Sequence, residues 1–142
     1  MAFREKIAWV SLTGIVIAFA PYFALIAAYP GPEAAFPVYS TRLFIAATML
    51  IILLTTVGAI GTAITATKDA QAPADERDRD IARQSSAIGY AVLLPLLFCV
   101  LAIVFLGAGI AMLANAVLAA IVIAEITRYG SIVLGYRQGW HG

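Results

Sequence analysis

Charged residues are scarce in this 142-residue chain. Only 12% of its residues are Asp, Glu, Lys or Arg, whereas 63% are apolar. Soluble domains carry about 25% charged residues, so this chain has too little polar surface to cover a globule in water. Its net charge of +1 gives no electrostatic support for binding nucleic acid. The composition excludes an ordinary soluble domain and predicts a membrane protein in contact with the lipid bilayer.

Cysteine and histidine, which often act in catalysis or bind metals and haem, are also scarce. The chain has one cysteine, Cys99, and one histidine, His141. A lone cysteine cannot form a disulfide within the chain. A histidine beside the C-terminus cannot supply a pair of haem ligands or reliably complete a Ser/His/Asp triad. No phosphate-binding glycine loop or zinc-ligand spacing is present in the sequence. We therefore expect no enzyme activity, no cofactor and no bound metal.

The apolar residues form runs long enough to cross a bilayer, for which about 20 residues suffice. The last run, near 86 to 136, is about twice that length, so it must fold back on itself. The segment Gly107-Ala108-Gly109 suits this turn, because glycine tolerates unusual backbone angles. The sequence predicts an all-α integral membrane protein with a single domain over 1–142 and four transmembrane helices in two hairpins. The expected helices are at about 7–29, 43–66, 75–106 and 111–135.

The first helix has a competing interpretation as a secretory signal peptide. Ala18-Phe19-Ala20 resembles a cleavage motif, but Pro21 follows it and the apolar run is too long for a signal peptide. We therefore expect an uncleaved membrane anchor. After it, Pro30, Pro32 and Pro37 predict a short, rigid outer loop over 30–41.

The distribution of basic residues predicts the orientation. If both termini are cytoplasmic, only Arg42 falls on the outer side, and cytoplasmic loops of membrane proteins are enriched in Lys and Arg. The sequence therefore predicts an inner (cytoplasmic) membrane protein with cytoplasmic N- and C-termini. The residues on the inner side or at its interface are Arg4, Lys6, Lys68, Arg77, Arg79, Arg83, Arg128 and Arg137.

About half of the charged residues lie in one segment, residues 68–83, which we call the charged island. Acidic residues follow Pro73 and suit the positive end of a helix dipole. The third helix is therefore expected to begin near Asp75 in the cytoplasm and to run into the bilayer after a cytoplasmic linker at 67–74. Its charges are spaced to form the ion pairs Asp75–Arg79, Arg77–Asp80 and Asp80–Arg83.

The charged island admits three interpretations. It can be a solvated helical collar that sets the topology, or a surface on which a soluble partner or neighbouring subunit docks. A divalent-metal site at Asp75, Glu76 and Asp80 is the weakest, because the interleaved arginines compete for the carboxylates and no calcium-loop spacing is present. The candidate docking residues are Asp75, Glu76, Arg77, Asp78, Arg79, Asp80 and Arg83.

Four residues within the apolar runs are candidate functional residues. Glu125 is an intramembrane carboxylate and by default a functional candidate, but Arg128 follows one turn later. An ion pair between the two, with both side chains snorkelling to the inner interface, is the expected arrangement, and a proton or cation site is the alternative. Asn115 can form a hydrogen bond across helices. Pro95 is expected to kink the third helix.

Small residues recur on one face of three of the helices. They are Gly14 and Ala18, then Gly58, Gly61, Thr62 and Thr65, then Ala116, Ala120 and Ala124. Such faces allow helices to approach closely. They suit either packing within the chain or contact between chains.

Three short motifs carry a family resemblance: Phe3 to Trp9 (F-R-E-K-I-A-W), Asp75 to Ile81 (D-E-R-D-R-D-I), and the closing Tyr136-Arg137-Gln138-Gly139. With these motifs, the chain resembles an uncharacterised family of small bacterial four-helix inner-membrane proteins. The resemblance implies the four-helix architecture and transfers no activity and no site residue. The chain is also similar in length to small multidrug transporters, which have a functional glutamate in the first helix. No acidic residue lies between Ile7 and Tyr29 here.

The sequence therefore supports three functional hypotheses. The first is a non-catalytic accessory or scaffold subunit that forms a homo-oligomer or joins a larger inner-membrane assembly. The second is a small transporter or channel that uses Glu125. The third is a regulatory membrane protein that recruits a cytosolic partner through residues 68–84.

Overall fold

The computed structural model describes residues 3–65 and 75–138, and these residues are helical except at short connections. Four helices are long and apolar enough to cross a membrane. We call them α1 (Phe3–Ala27), α2 (Phe36–Thr65), α3 (Glu76–Phe105) and α4 (Ile110–Gln138). The linker expected at 67–74 lies outside the described residues.

The connection between α1 and α2 is shorter than expected. In place of a loop over 30–41, a 3-10 turn at Glu33–Ala35 leads directly into α2 at Phe36. Pro37 lies in the first turn of α2, where proline costs the helix no hydrogen bond because the first N–H groups have no partner within it. The predicted loop over 30–41 was wrong because proline is compatible with the first turn of a helix as well as with a loop, and Pro37 lies in such a turn.

The third helix starts where its acidic residues predict. The Asp75 side chain accepts a 2.7 Å hydrogen bond from the Glu76 N–H and caps the first turn. The helix then continues without interruption through Pro95 to Phe105. The turn into α4 falls on the expected glycines, and Gly107 has a φ of +80°, a conformation that favours glycine.

The helices pack with α1 and α4 at the centre. α1 lies against α2 and α4, while α3 packs mainly on α4. Ile15, Ala18, Phe19 and Tyr22 of α1 form the core with residues of α2 and α4. The two outer helices are little covered, since only Ser40 and Ala47 of α2 and Ile81, Ser85 and Gly89 of α3 are buried.

Glycines set the closest approaches between helices. A Cβ built at Gly58 of α2 would lie 2.3 Å from Val10 Cγ1 of α1, which leaves room only for a hydrogen atom. A Cβ at Gly89 of α3 would lie 3.0 Å from Arg128 Cβ of α4. Gly14 also faces α2, but Gly61 has no such neighbour within 4 Å. The small-residue faces therefore serve packing within the chain at Gly14 and Gly58, whereas Gly61 lies on an open surface.

Candidate functional site: polar clusters along the fourth helix

Polar side chains meet at the end of the structure where α1 and α3 begin and α4 finishes. We call this the charged end. Asp78 of α3 lies between the two central helices, with its Oδ2 3.1 Å from Arg4 Nε of α1. Its Oδ1 accepts a 2.5 Å hydrogen bond from the Tyr136 hydroxyl of α4. One carboxylate thus joins three helices.

A second contact crosses the same end between α1 and α4. Glu5 is a buried carboxylate, and its Oε1 lies 3.9 Å from Arg137 Nε. The Arg137 guanidinium also lies 5.3 Å from the centre of the Trp9 ring, within cation–π range. Arg77 adds a longer contact, from Nη2 to the Tyr136 carbonyl at 3.5 Å. These contacts fix the position of α4 relative to the starts of α1 and α3.

A pocket of about 230 Å³ opens beside these contacts. Its walls are mostly apolar, and its polar groups belong to Arg4, Asp78 and the tyrosines. The arginine and aspartate are already paired with each other, so the pocket presents no free ionised group of its own. Its lining residues are Phe3, Arg4, Ile7, Ala8, Asp78, Ile81, Ala82, Tyr129, Ile132 and Tyr136.

The ion pairs expected within the charged island are not formed. Among residues 75–83, Asp75–Arg79, Arg77–Asp80 and Asp80–Arg83 are all absent from the salt bridges of the structure. Asp78, which belonged to none of the expected pairs, instead pairs with Arg4 of α1. Pairs along an exposed helix face are weak, because water screens their charges. The side chains of Asp75, Glu76, Arg79, Asp80 and Arg83 are exposed.

The metal site considered at Asp75, Glu76 and Asp80 is not formed either. In the described part of the chain, no three potential metal ligands among His, Cys, Asp and Glu come together. Asp75 instead caps α3.

The ion pair expected within α4 is confirmed. Arg128 Nη1 lies 3.1 Å from Glu125 Oε2 and 3.5 Å from Oε1. Arg128 reaches toward Glu125 and so away from the charged end. This follows from helix geometry, which tilts side chains toward the helix N-terminus. The expected snorkelling of the pair to the inner interface stays a prediction.

Asn115 forms the contact across helices that was considered for it. Its Oδ1 accepts a hydrogen bond from the Tyr22 hydroxyl of α1, and its Nδ2 donates to the Ala111 carbonyl at 2.7 Å. A pocket of about 220 Å³ lies beside this contact and includes Ser40 and Thr41 of α2. Both hydroxyls donate to the Pro37 carbonyl, at 3.1 and 2.8 Å. The Tyr22–Asn115 hydrogen bond therefore joins α1 to α4 at this end, whereas the hydroxyls of Ser40 and Thr41 bond within α2.

Pro95 stands apart from these clusters. It is exposed, and no residue of α3 from Tyr90 to Phe105 is buried. The structure therefore does not bring Pro95 into contact with a buried polar group, and the candidate site residues fall into separate clusters.

Comparison with protein-family models, with curated proteins and with solved structures found no match to this chain.

Sequence reasoning missed the partners of the residues it singled out. Arg4, Glu5, Tyr22 and Tyr136 were not candidates, yet each is bound to another helix. Arg4, Glu5 and Tyr136 lie near the ends of their helices. Tyr22 lies opposite the polar residue Asn115 of α4. That signal becomes usable only when the helix register is known.

Proposed function

We propose that the four helices cross the inner membrane of a bacterial cell as two hairpins, α1–α2 and α3–α4, with both termini in the cytoplasm. Their lengths of 25, 30, 30 and 29 residues support spanning, since about 20 residues suffice. The excess of basic residues on one side supports the orientation. In this arrangement the charged end faces the cytoplasm.

We propose further that the protein is a non-catalytic accessory or scaffold subunit. One observation carries this proposal: the interhelix polar contacts hold the chain's own helices together, while the outer helices stay uncovered. Asp78, Glu5 and Asn115 each have a partner on a neighbouring helix. By contrast, α2 and α3 have two and three buried residues each. Such surfaces suit lateral contact with other membrane helices.

The proposal is tested by purification from the source membrane in mild detergent, with identification of the chains that remain bound. We expect a complex containing this chain together with further copies or other membrane proteins. A chain that elutes alone, under conditions that preserve known complexes of the same membrane, would argue against a scaffold role.

A regulatory docking role is the second candidate. The observation that favours it is the exposure of Asp75, Glu76, Arg79, Asp80 and Arg83, none of which takes part in an ion pair among the described residues. Asp75 caps α3, but the other four ionised side chains form no ion pair within the described residues and remain available to a soluble partner. Scrambling the order of Glu76, Arg79, Asp80 and Arg83, with Asp75 and Asp78 kept in place, should abolish capture of a cytosolic partner. Capture that survives the scramble would refute this role.

A further inference from the structure

The Glu125–Arg128 pair lies far from both ends of α4. The α-helix rises about 1.5 Å per residue, which places Glu125 roughly 16 Å from Tyr136 and roughly 22 Å from Ile110. Neither distance can be covered by a side chain. If α4 spans the membrane as proposed above, both ionised groups lie within the bilayer.

The pair is also only partly covered by the chain. The side chains of Glu125 and Arg128 are 39% and 38% exposed. Ionisable residues within membranes almost always face the protein interior or a water-filled cavity, because lipid solvates charge poorly. A half-exposed pair at this depth indicates that something other than lipid covers it.

The pair leaves hydrogen-bonding capacity unused. Arg128 reaches both oxygens of Glu125 through Nη1 alone. Its Nε is buried and has no partner among the described residues. A guanidinium carries five N–H donors and a carboxylate about four acceptor positions, so each group can bind a second charged group.

Glu125 lies on an exposed face of α4, and Arg128 lies at the edge of that face, where its Cβ packs beside Gly89 of α3 while its guanidinium extends to Glu125. Val117, Ile121, Glu125 and Arg128 follow one another at spacings of three and four residues, which places them on one side of the helix. Val117 and Ile121 are 37% and 45% exposed.

Two other parts of the α4 surface are occupied by the chain's own helices. Val122 belongs to the core shared with α1, and Ile126 packs against that core. Ala124 is buried where α4 meets Gly89 of α3.

We propose that this face binds the same face of a second copy of the chain, in parallel orientation, so that Glu125 of each copy pairs with Arg128 of the other. The inference rests on the proposed membrane scaffold and names its partner. The argument for a second copy is charge complementarity. The face carries an acidic and a basic side chain one helical turn apart. A two-fold axis parallel to the helix therefore places Glu125 of each copy near Arg128 of the other, which gives two ion pairs. A lipid headgroup of one sign would complement only half of the face.

Cysteine cross-linking in native membranes tests the geometry. In a Cys99→Ala background, Ile121→Cys lies on the proposed face. Ile123→Cys is a matched control, because it is the same residue type, 46% exposed, on a different side of the same helix. Mild oxidation should give a disulfide-linked dimer of this chain at 121 and little at 123. Equal dimer at both positions, or a cross-link from 121 to a different protein, would overturn the inference.

Charge reversal tests the pairing between copies. The Glu125→Arg variant has two basic residues on this face, and the Arg128→Glu variant has two acidic ones. Two copies of either variant repel each other, so each variant alone should lose at least about tenfold in self-association. Co-expression of the two variants should restore dimer, because an all-basic face then meets an all-acidic one. The double swap within one chain keeps the pair and should dimerise, which controls for folding. Mixed variants that associate no better than either alone would refute the inference.

The two proposals fail in different ways. A complex that survives purification but cross-links through position 123 removes this interface and leaves the scaffold role standing. A dimer formed through position 121 with no other protein bound supports this interface and limits the assembly to copies of the chain.

Discussion

The carboxylate of Asp78 accepts a 2.5 Å hydrogen bond from Tyr136 while it pairs with Arg4, so three helices meet at one side chain. Asp80 lies two residues away on the same helix, is exposed, and takes part in no ion pair in the described part of the chain. Asp78 is therefore a structural charge that joins helices, whereas Asp80 is a solvated surface charge.

Replacement of Asp78 by alanine should destabilise the helix assembly by about 1–3 kcal/mol, because it leaves Arg4 and Tyr136 without their partner. The matched Asp80→Ala variant should be neutral within about 0.5 kcal/mol, as is usual for surface substitutions. Unfolding midpoints of both variants in the same detergent give the comparison. Equal effects of the two changes would mean that the contacts of Asp78 do not stabilise the fold.

The two glycines of α2 should respond oppositely to alanine. Gly58→Ala would place a Cβ against the branched side chain of Val10 and should cost about 1–3 kcal/mol from overpacking. A Cβ at Gly61 would meet no neighbour within 4 Å. Gly61→Ala should therefore stabilise the fold by about 0.4–1 kcal/mol, because alanine lowers the conformational entropy of the unfolded chain. Thermal unfolding of the pair measures the difference. A stable Gly58→Ala protein would place α1 and α2 farther apart than the structure has them.

The fold was largely predictable because apolar run length and terminal signals are local properties. The start of α3 near Asp75 and the turn at Gly107 both follow from residues adjacent in sequence. The start of α2 at Phe36 was missed, because a proline is compatible with both a loop and a first helical turn.

The polar contacts were less predictable because they depend on how helices align. Glu125–Arg128 lies within one helix and was predicted correctly. Asp78–Arg4 joins residues far apart in sequence, and neither residue belonged to any of the three pairs expected within the charged island. Pairs on a solvated helix face contribute little, and only the packed structure shows which residues of different helices are opposite each other.

The Tyr22–Asn115 contact should contribute modestly to stability. Hydrogen bonds between membrane helices average about 0.6 kcal/mol. Tyr22→Phe and Asn115→Leu should each destabilise the protein, and the double variant should lose less than the sum of the two. A double-mutant cycle of unfolding free energies checks the coupling. Strict additivity would show that the hydroxyl and the amide do not interact.

The proposed orientation can be read from thiol labelling. In a Cys99→Ala chain, a cysteine in place of Arg79 should react only with reagents that enter the cytoplasm. A cysteine in place of Glu33, in the short turn before α2, should react with impermeant reagents added to intact cells. The reverse pattern, or labelling of both positions from one side, would contradict the proposed topology.

The most direct test of the scaffold proposal is the mass of the complex released from the source membrane. Native mass spectrometry in mild detergent should give a mass well above that of the 15.0 kDa chain, accounted for by further copies or by named partner chains. Loss of that mass in Glu125→Arg, with recovery on co-expression of Arg128→Glu, would assign the self-association to the proposed face of α4. A single 15.0 kDa species in every preparation would contradict the account.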